Sequence, residues 1–98
     1  MREGAEVILA RVKIGDFDQF WSVFTTRGAE HRRKYGSTGA QVLRNQDDQD
    51  EVLVQFDWSK EGYERFLADP QSREVMAAAG LKGPPEHTVV EPVGETGS

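Results

Sequence analysis

The side chains of this 98-residue sequence that could do chemistry are two histidines and a set of aromatic rings; it has no cysteine. His31 falls among Phe17, Phe20, Trp21, Phe24, Gly28 and Tyr35, which recur at spacings of three and four and so share one helix face. An imidazole on such a face must hydrogen-bond something inside, whether protein, water or ligand. It is a candidate general base toward a phenol or an activated C–H, and equally a candidate core histidine bonded to a carbonyl or carboxylate. Tyr35, one turn on, could orient a substrate carbonyl or phenol, or could pack its ring and leave its oxygen wet. Trp21, Phe24, Phe56, Trp58 and Phe66 supply enough aromatic area to line a pocket for a flat ligand, and the same stripe would also serve as core. Arg44 and Gln55 stand inside strand patterns, where a charge, and more weakly a neutral polar group, is costly unless paired or facing a pocket. Arg32, Arg33 and Lys34 could attract an acidic substrate, and as cations in a last helical turn they also complement the helix dipole.

Several chemistries are excluded. His31 and His87 come from distant segments without a metal-type spacing, so no metal is expected. Gly-rich phosphate cradles, a Gly-x-Ser-x-Gly elbow and a nucleophilic Cys are all absent, so no nucleotide cofactor and no standard acyl transfer is expected. A net charge of -5 argues against nucleic acid as the main partner. No apolar run approaches the roughly 20 residues of a membrane helix. The start, Met1-Arg2-Glu3-Gly4, does not read as a signal peptide, and the reading places the protein in the cytoplasm.

The elements that must position these residues follow from periodicity. Residues 6 to 14 alternate as a first strand, Gly15 ends it, and Asp16 is placed to cap one long helix that closes at Gly36. Gln41 to Asn45 reads as a second strand, 46 to 50 as a hairpin loop, and Glu51 to Trp58 as a third strand with Val52, Val54, Phe56 and Trp58 on one side. Ser59 caps a second helix, with Trp58 and Tyr63 placed as a hydrophobic staple. Asp69-Pro70 interrupts that helix, since Pro sits well only at the first position of a new segment. The segment stops at Gly80, and a last strand spans about Glu86 to Glu91. This is one domain over residues 5–93 with a polar tail over 94–98. The order βαββαβ with right-handed crossovers gives an α+β, ferredoxin-like, four-stranded antiparallel sheet with both helices on one face. The other face has no element left to cover it, and a homodimer, sheet against sheet, would supply the cover.

Phe56-Asp57-Trp58-Ser59 leading into a helix with Tyr63 and Phe66, the Asp69-Pro70 break, and Ala79-Gly80-Leu81-Lys82-Gly83-Pro84-Pro85-Glu86 resemble the dimeric α+β barrel superfamily. That group includes antibiotic biosynthesis monooxygenases, haem-degrading monooxygenases and some polyketide cyclases. The resemblance implies a homodimer with a small-molecule pocket between helices and sheet in each subunit, and some members oxidise polycyclic phenols with O2 and no cofactor. Anchored on Asp69-Pro70, Phe56 falls where anthrone-oxidising members carry a Trp and Met76 where they carry an Arg; Trp58 and Tyr63 match in a slipped register. The reading is a small homodimeric enzyme acting on a compact aromatic or polyketide-type metabolite by cofactor-free monooxygenation or proton-transfer cyclisation. His31 and Tyr35 are its catalytic candidates, and Trp21, Phe24, Arg44, Gln55, Phe56, Trp58, Tyr63 and Phe66 its substrate-binding ones. The alternative is a non-catalytic ligand-binding or accessory protein of the same fold.

Overall fold

The computed structural model describes residues 6–98; the proposed domain start at residue 5 and the Met1–Gly4 stretch lie outside the described residues. The elements run β1(Val7–Lys13), α1(Phe17–Phe24), α2(Arg27–Arg33), β2(Gly39–Arg44), β3(Glu51–Asp57), α3(Lys60–Ala68), α4(Pro70–Ala78) and β4(Glu86–Val90). The strands form one antiparallel sheet in the order β2-β3-β1-β4, the ferredoxin-like arrangement.

Alternation decides which face each strand buries. Ile8, Ala10 and Val12 of β1 and Val52, Val54 and Phe56 of β3 are buried under the helices. Register carries the same face across the sheet, pairing Ala10 with Val54 and Val54 with Val42. The opposite face carries Leu9, Arg11, Leu53, Gln55 and Leu43, and there Leu9 and Leu43 keep 43% and 48% of their surface exposed.

Capping chemistry sets the helix starts. Asp16 accepts from the Gln19 N–H at 2.9 Å, and Ser59 Oγ accepts from the Gly62 N–H at 3.0 Å. Asp69 ends α3 and caps α4, with Pro70 at its first position. Gly36 and Gly80 take φ of 94° and 79°, the left-handed conformation that closes their helices. Trp58 and Tyr63 meet edge-on with ring centroids 5.1 Å apart, as the staple requires.

The first helix departs from expectation: it is two segments, not one. Thr25 Oγ1 donates to the Trp21 carbonyl at 2.8 Å and Thr26 Oγ1 to the Ser22 carbonyl at 2.7 Å, while Thr26 has φ -118° and ψ -96°, outside the helical region. Hydroxyls that bond back to the preceding turn weaken and bend a helix. The consequence is a new rotational phase for α2, so the aromatic stripe of α1 does not continue into it.

Candidate functional site

Between the helices and the sheet lies a cavity of about 70 Å3. Its floor is Ala10 and Val12 of β1 with Val54 and Phe56 of β3, and its walls include Phe20 and Phe24 of α1, Tyr63 and Phe66 of α3, and Val75 and Met76 of α4. Leu81 and Pro85 close one side, where the bridge from Leu81 to Ile14 fixes the chain that follows α4. A wider groove of about 580 Å3 adjoins at that side and shares Met76, Leu81 and Pro85 with the cavity. Those three residues therefore form a wall between the apolar cavity and the wider groove.

The lining is apolar with two polar exceptions, Arg32 of α2 and the Tyr63 phenol. Among the described residues Arg32 is the only charged one in the lining. Burial, followed by repulsion from Arg33, lowers its pKa to about 10. Burial also pushes the Tyr63 phenol up to about 12, so it is a neutral donor at physiological pH. The Tyr63 ring packs on His87 with centroids 4.7 Å apart, at the groove side.

Four of the substrate-binding candidates, Phe24, Phe56, Tyr63 and Phe66, line this cavity together. His31, Tyr35, Trp21, Arg44, Gln55 and Trp58 do not. His31 is 4% exposed and sits where α2 meets α3 and α4; its Nε2 shares a 2.8 Å hydrogen bond with Ser72 Oγ and lies 3.5 Å from Asp69 Oδ2. The Tyr35 hydroxyl donates to that same carboxylate oxygen at 2.6 Å, while Asp69 Oδ1 accepts from the Gln71 N–H. This sharing raises the Tyr35 pKa and lowers that of Asp69, the hydrogen bond between them being the first cause of each shift. His31, Tyr35, Asp69 and Ser72 thus form a polar clasp holding α2 to the α3–α4 junction, behind the Phe66 wall, whose ring centroid is 5.4 Å from that of His31.

The other candidates fall elsewhere. Trp58 is buried and its indole N–H donates to the Tyr35 carbonyl at 2.8 Å, tying β3 to the end of α2. Trp21 stacks on Phe17 and Phe24 on the outer side of α1 and is 46% exposed. Arg44 lies over the Phe17 ring at 4.7 Å and donates to the Gln49 carbonyl, and Gln55 stands exposed on the open sheet face between Leu9 and Gln41. Arg32, which the sequence offered only within a basic run that could attract an acidic substrate or complement the helix dipole, is the member of that run that lines the cavity. The signal for it was Gly28, one turn earlier on the same helix face, which leaves the space its guanidinium fills.

Among the described residues no group of three or more His, Cys, Asp or Glu could hold a metal ion, and no helix is long and apolar enough to cross a membrane.

No protein-family model matches the sequence, and no curated protein sequence matches it either. Solved structures do match. The chain is similar to SnoaB, a cofactor-independent oxygenase from Streptomyces nogalater, at 21% identity and a TM-score of 0.71 over 96% of this chain and 98% of that one. It is similar to the ActVA-Orf6 monooxygenase of Streptomyces coelicolor, solved with the ligand nanaomycin D, at 24% identity and a TM-score of 0.65 over 94% and 90%. A Bordetella bronchiseptica protein named for the antibiotic biosynthesis monooxygenases superposes with a TM-score of 0.77 at 15% identity over 93% and 99%. Over the described residues the chain has the ferredoxin-like α+β fold of these structures.

Proposed function

We propose that this protein is a cofactor-independent oxygenase that oxidises a hydroxylated polycyclic aromatic metabolite with O2 in the cavity between sheet and helices, and that it works as a homodimer. The observation that carries the reading is the apolar cavity floored by β1 and β3 and walled by Phe24, Phe56, Tyr63 and Phe66, in a fold shared with a cofactor-independent oxygenase.

The chemistry asks little of the protein. Loss of one methylene proton to water converts an anthrone-type ring into its phenolate (anthrolate) form, with electron density on the resulting ring CH carbon, which passes one electron to O2 and then combines with the superoxide formed. The peroxide anion takes a proton back from water, and the hydroperoxide loses water and leaves a ketone, so that CH2 plus O2 gives C=O plus H2O. The four electrons lost by carbon reduce both oxygen atoms, and no external reductant is required. An apolar cavity contributes by fixing the ring and keeping water from the carbanion and peroxide. Among the described residues the cavity lining holds neither carboxylate nor imidazole, and the adjoining groove adds only His87, which favours oxygenation of a readily ionised substrate over a proton-transfer cyclisation that needs a base at the cavity floor.

Size sets a condition. Pockets for ligands of this class measure about 300–1,000 Å3, so a tricyclic substrate extends from the 70 Å3 cavity into the adjoining groove by displacing Met76, Leu81 or Pro85. Dimerisation is supported by the open sheet face, where Leu43 pairs with Leu53 and Leu9 lies diagonally across on β1.

An oxygen electrode tests the proposal with 1,8-dihydroxyanthrone as substrate. The expected result is one O2 consumed per anthrone, faster than autoxidation and unaffected by chelators. Tight binding of the anthrone without any acceleration would leave the chain a ligand-binding protein instead.

A further inference from the structure

The guanidinium of Arg32 lies 3.8 Å from the Phe24 ring centroid and 5.6 Å from that of Phe56. One N–H is used within the protein, Nη2 donating to the Phe24 carbonyl at 3.0 Å. The ion pairs of the described residues involve Arg11, Lys13, His31 and Lys82, and none reaches Arg32. A guanidinium carries five donors and keeps its charge, and half-burying that cation against aromatic rings without a counter-ion has a desolvation cost. The depression of its pKa by burial reports that cost.

Its position is also built. A Cβ on Gly28 would stand 3.0 Å from Arg32 Nη1 and 3.0 Å from the Val23 carbonyl, so the guanidinium occupies space that any larger residue at 28 would take. Structural reasons alone do not require a charge here: the aromatic contact and the single carbonyl bond use one donor of five. Arg32 also lines an outer groove with Arg33, Ser37 and Thr38, so it stands between that groove and the cavity, and its remaining donors can turn to a negative group carried by the molecule that fills the cavity.

We propose that Arg32 makes the cavity selective for an aromatic anion, a phenolate or ring carboxylate whose negative oxygen meets the guanidinium while its rings pack on Phe24 and Phe56. The inference rests on the cavity being the substrate site and names the charge state that site takes. The other titratable group in the lining, Tyr63, is neutral and could add a hydrogen bond to the same oxygen. For the oxygenation above, Arg32 holds the substrate as phenolate, the form that reacts with O2.

Two probes of equal shape separate charge from fit: 2-naphthoate and 2-naphthamide, titrated calorimetrically into the full chain at neutral pH and low salt. The wild type should bind the naphthoate at least tenfold more tightly. Arg32→Met should abolish that preference while holding naphthamide affinity within about threefold, and Arg32→Lys should restore part of it. A measurement that needs no variant is the absorbance of bound 4-nitrophenol, whose phenolate band should appear about one pH unit or more below its position in free solution. Equal affinity for the two probes, or an unshifted nitrophenol, would overturn the role of Arg32 and leave the cavity as a ligand site. Binding of neither probe to the wild type would remove the cavity reading and this inference with it.

Discussion

Replacing His31 with alanine removes the imidazole from the clasp that holds α2 to the α3–α4 junction. Ser72 is fully buried and its hydroxyl bonds His31 Nε2 at 2.8 Å, so the substitution leaves that hydroxyl without its protein partner. An unsatisfied buried hydroxyl costs about 1–3 kcal/mol. The ring contacts to Tyr35 and Phe66, with centroids 5.6 and 5.4 Å away, are worth roughly another 1 kcal/mol. A loss of about 3 kcal/mol lowers the melting temperature of a domain this small by roughly 12 to 24 °C. Thermal unfolding followed by circular dichroism reads the effect directly. In a double-mutant cycle with Ser72→Ala the two losses should couple by about 1 kcal/mol. A melting temperature within about 4 °C of wild type, or strictly additive single mutants, would refute the clasp. Oxygen uptake per folded molecule should survive the substitution, because the imidazole does not line the cavity. Lost turnover at an unchanged melting temperature would make His31 part of the chemistry instead.

Three further outcomes follow from the same geometry. Gly62→Ala should fail to fold or lose more than about 3 kcal/mol, since its Cβ would stand 2.4 Å from the Tyr35 carbonyl and 2.9 Å from Trp58 Nε1; expression and melting temperature near wild type would contradict the close approach. Stability should be lost as pH rises from about 10, where an unfolded tyrosine ionises, toward the raised value of about 12 for Tyr63, because only the neutral phenol is favoured in the fold. Urea unfolding of Tyr63→Phe should show a flatter alkaline limb, and an identical limb would remove that account. Light scattering should give twice the 11.0 kDa chain mass at micromolar concentration, with Leu53→Arg on the open sheet face shifting it to monomer; a monomeric wild type would overturn the dimer.

Much of the fold is legible because strands and caps are local signals. The alternation of Val52, Val54, Phe56 and Trp58 settles which face of β3 is buried, and Asp16, Ser59 and Asp69 each make the cap bond their type and place imply. The site is less legible because it depends on rotation between segments. Extending the α1 stripe as one helix places Trp21 and His31 on a common inner face, but the break at Thr25–Thr26 resets the phase. Trp21 is left outside, His31 meets α4 instead of the cavity, and Arg32 lines it. The polar partners of His31, Tyr35 and Trp58 lie 41, 34 and 23 residues away, a separation at which spacing carries no information.

The claim that the cavity between sheet and helices is the substrate site is tested most directly by a crystal structure of the protein with a bound hydroxylated anthraquinone, the product analogue. The account predicts the ring system between Phe24, Phe56 and Phe66, a ring oxygen within hydrogen-bond distance of Arg32, and the wall of Met76, Leu81 and Pro85 moved outward to join cavity and groove. A ligand seated on the open sheet face or in an outer groove, with the cavity unchanged and holding no ring, would contradict it.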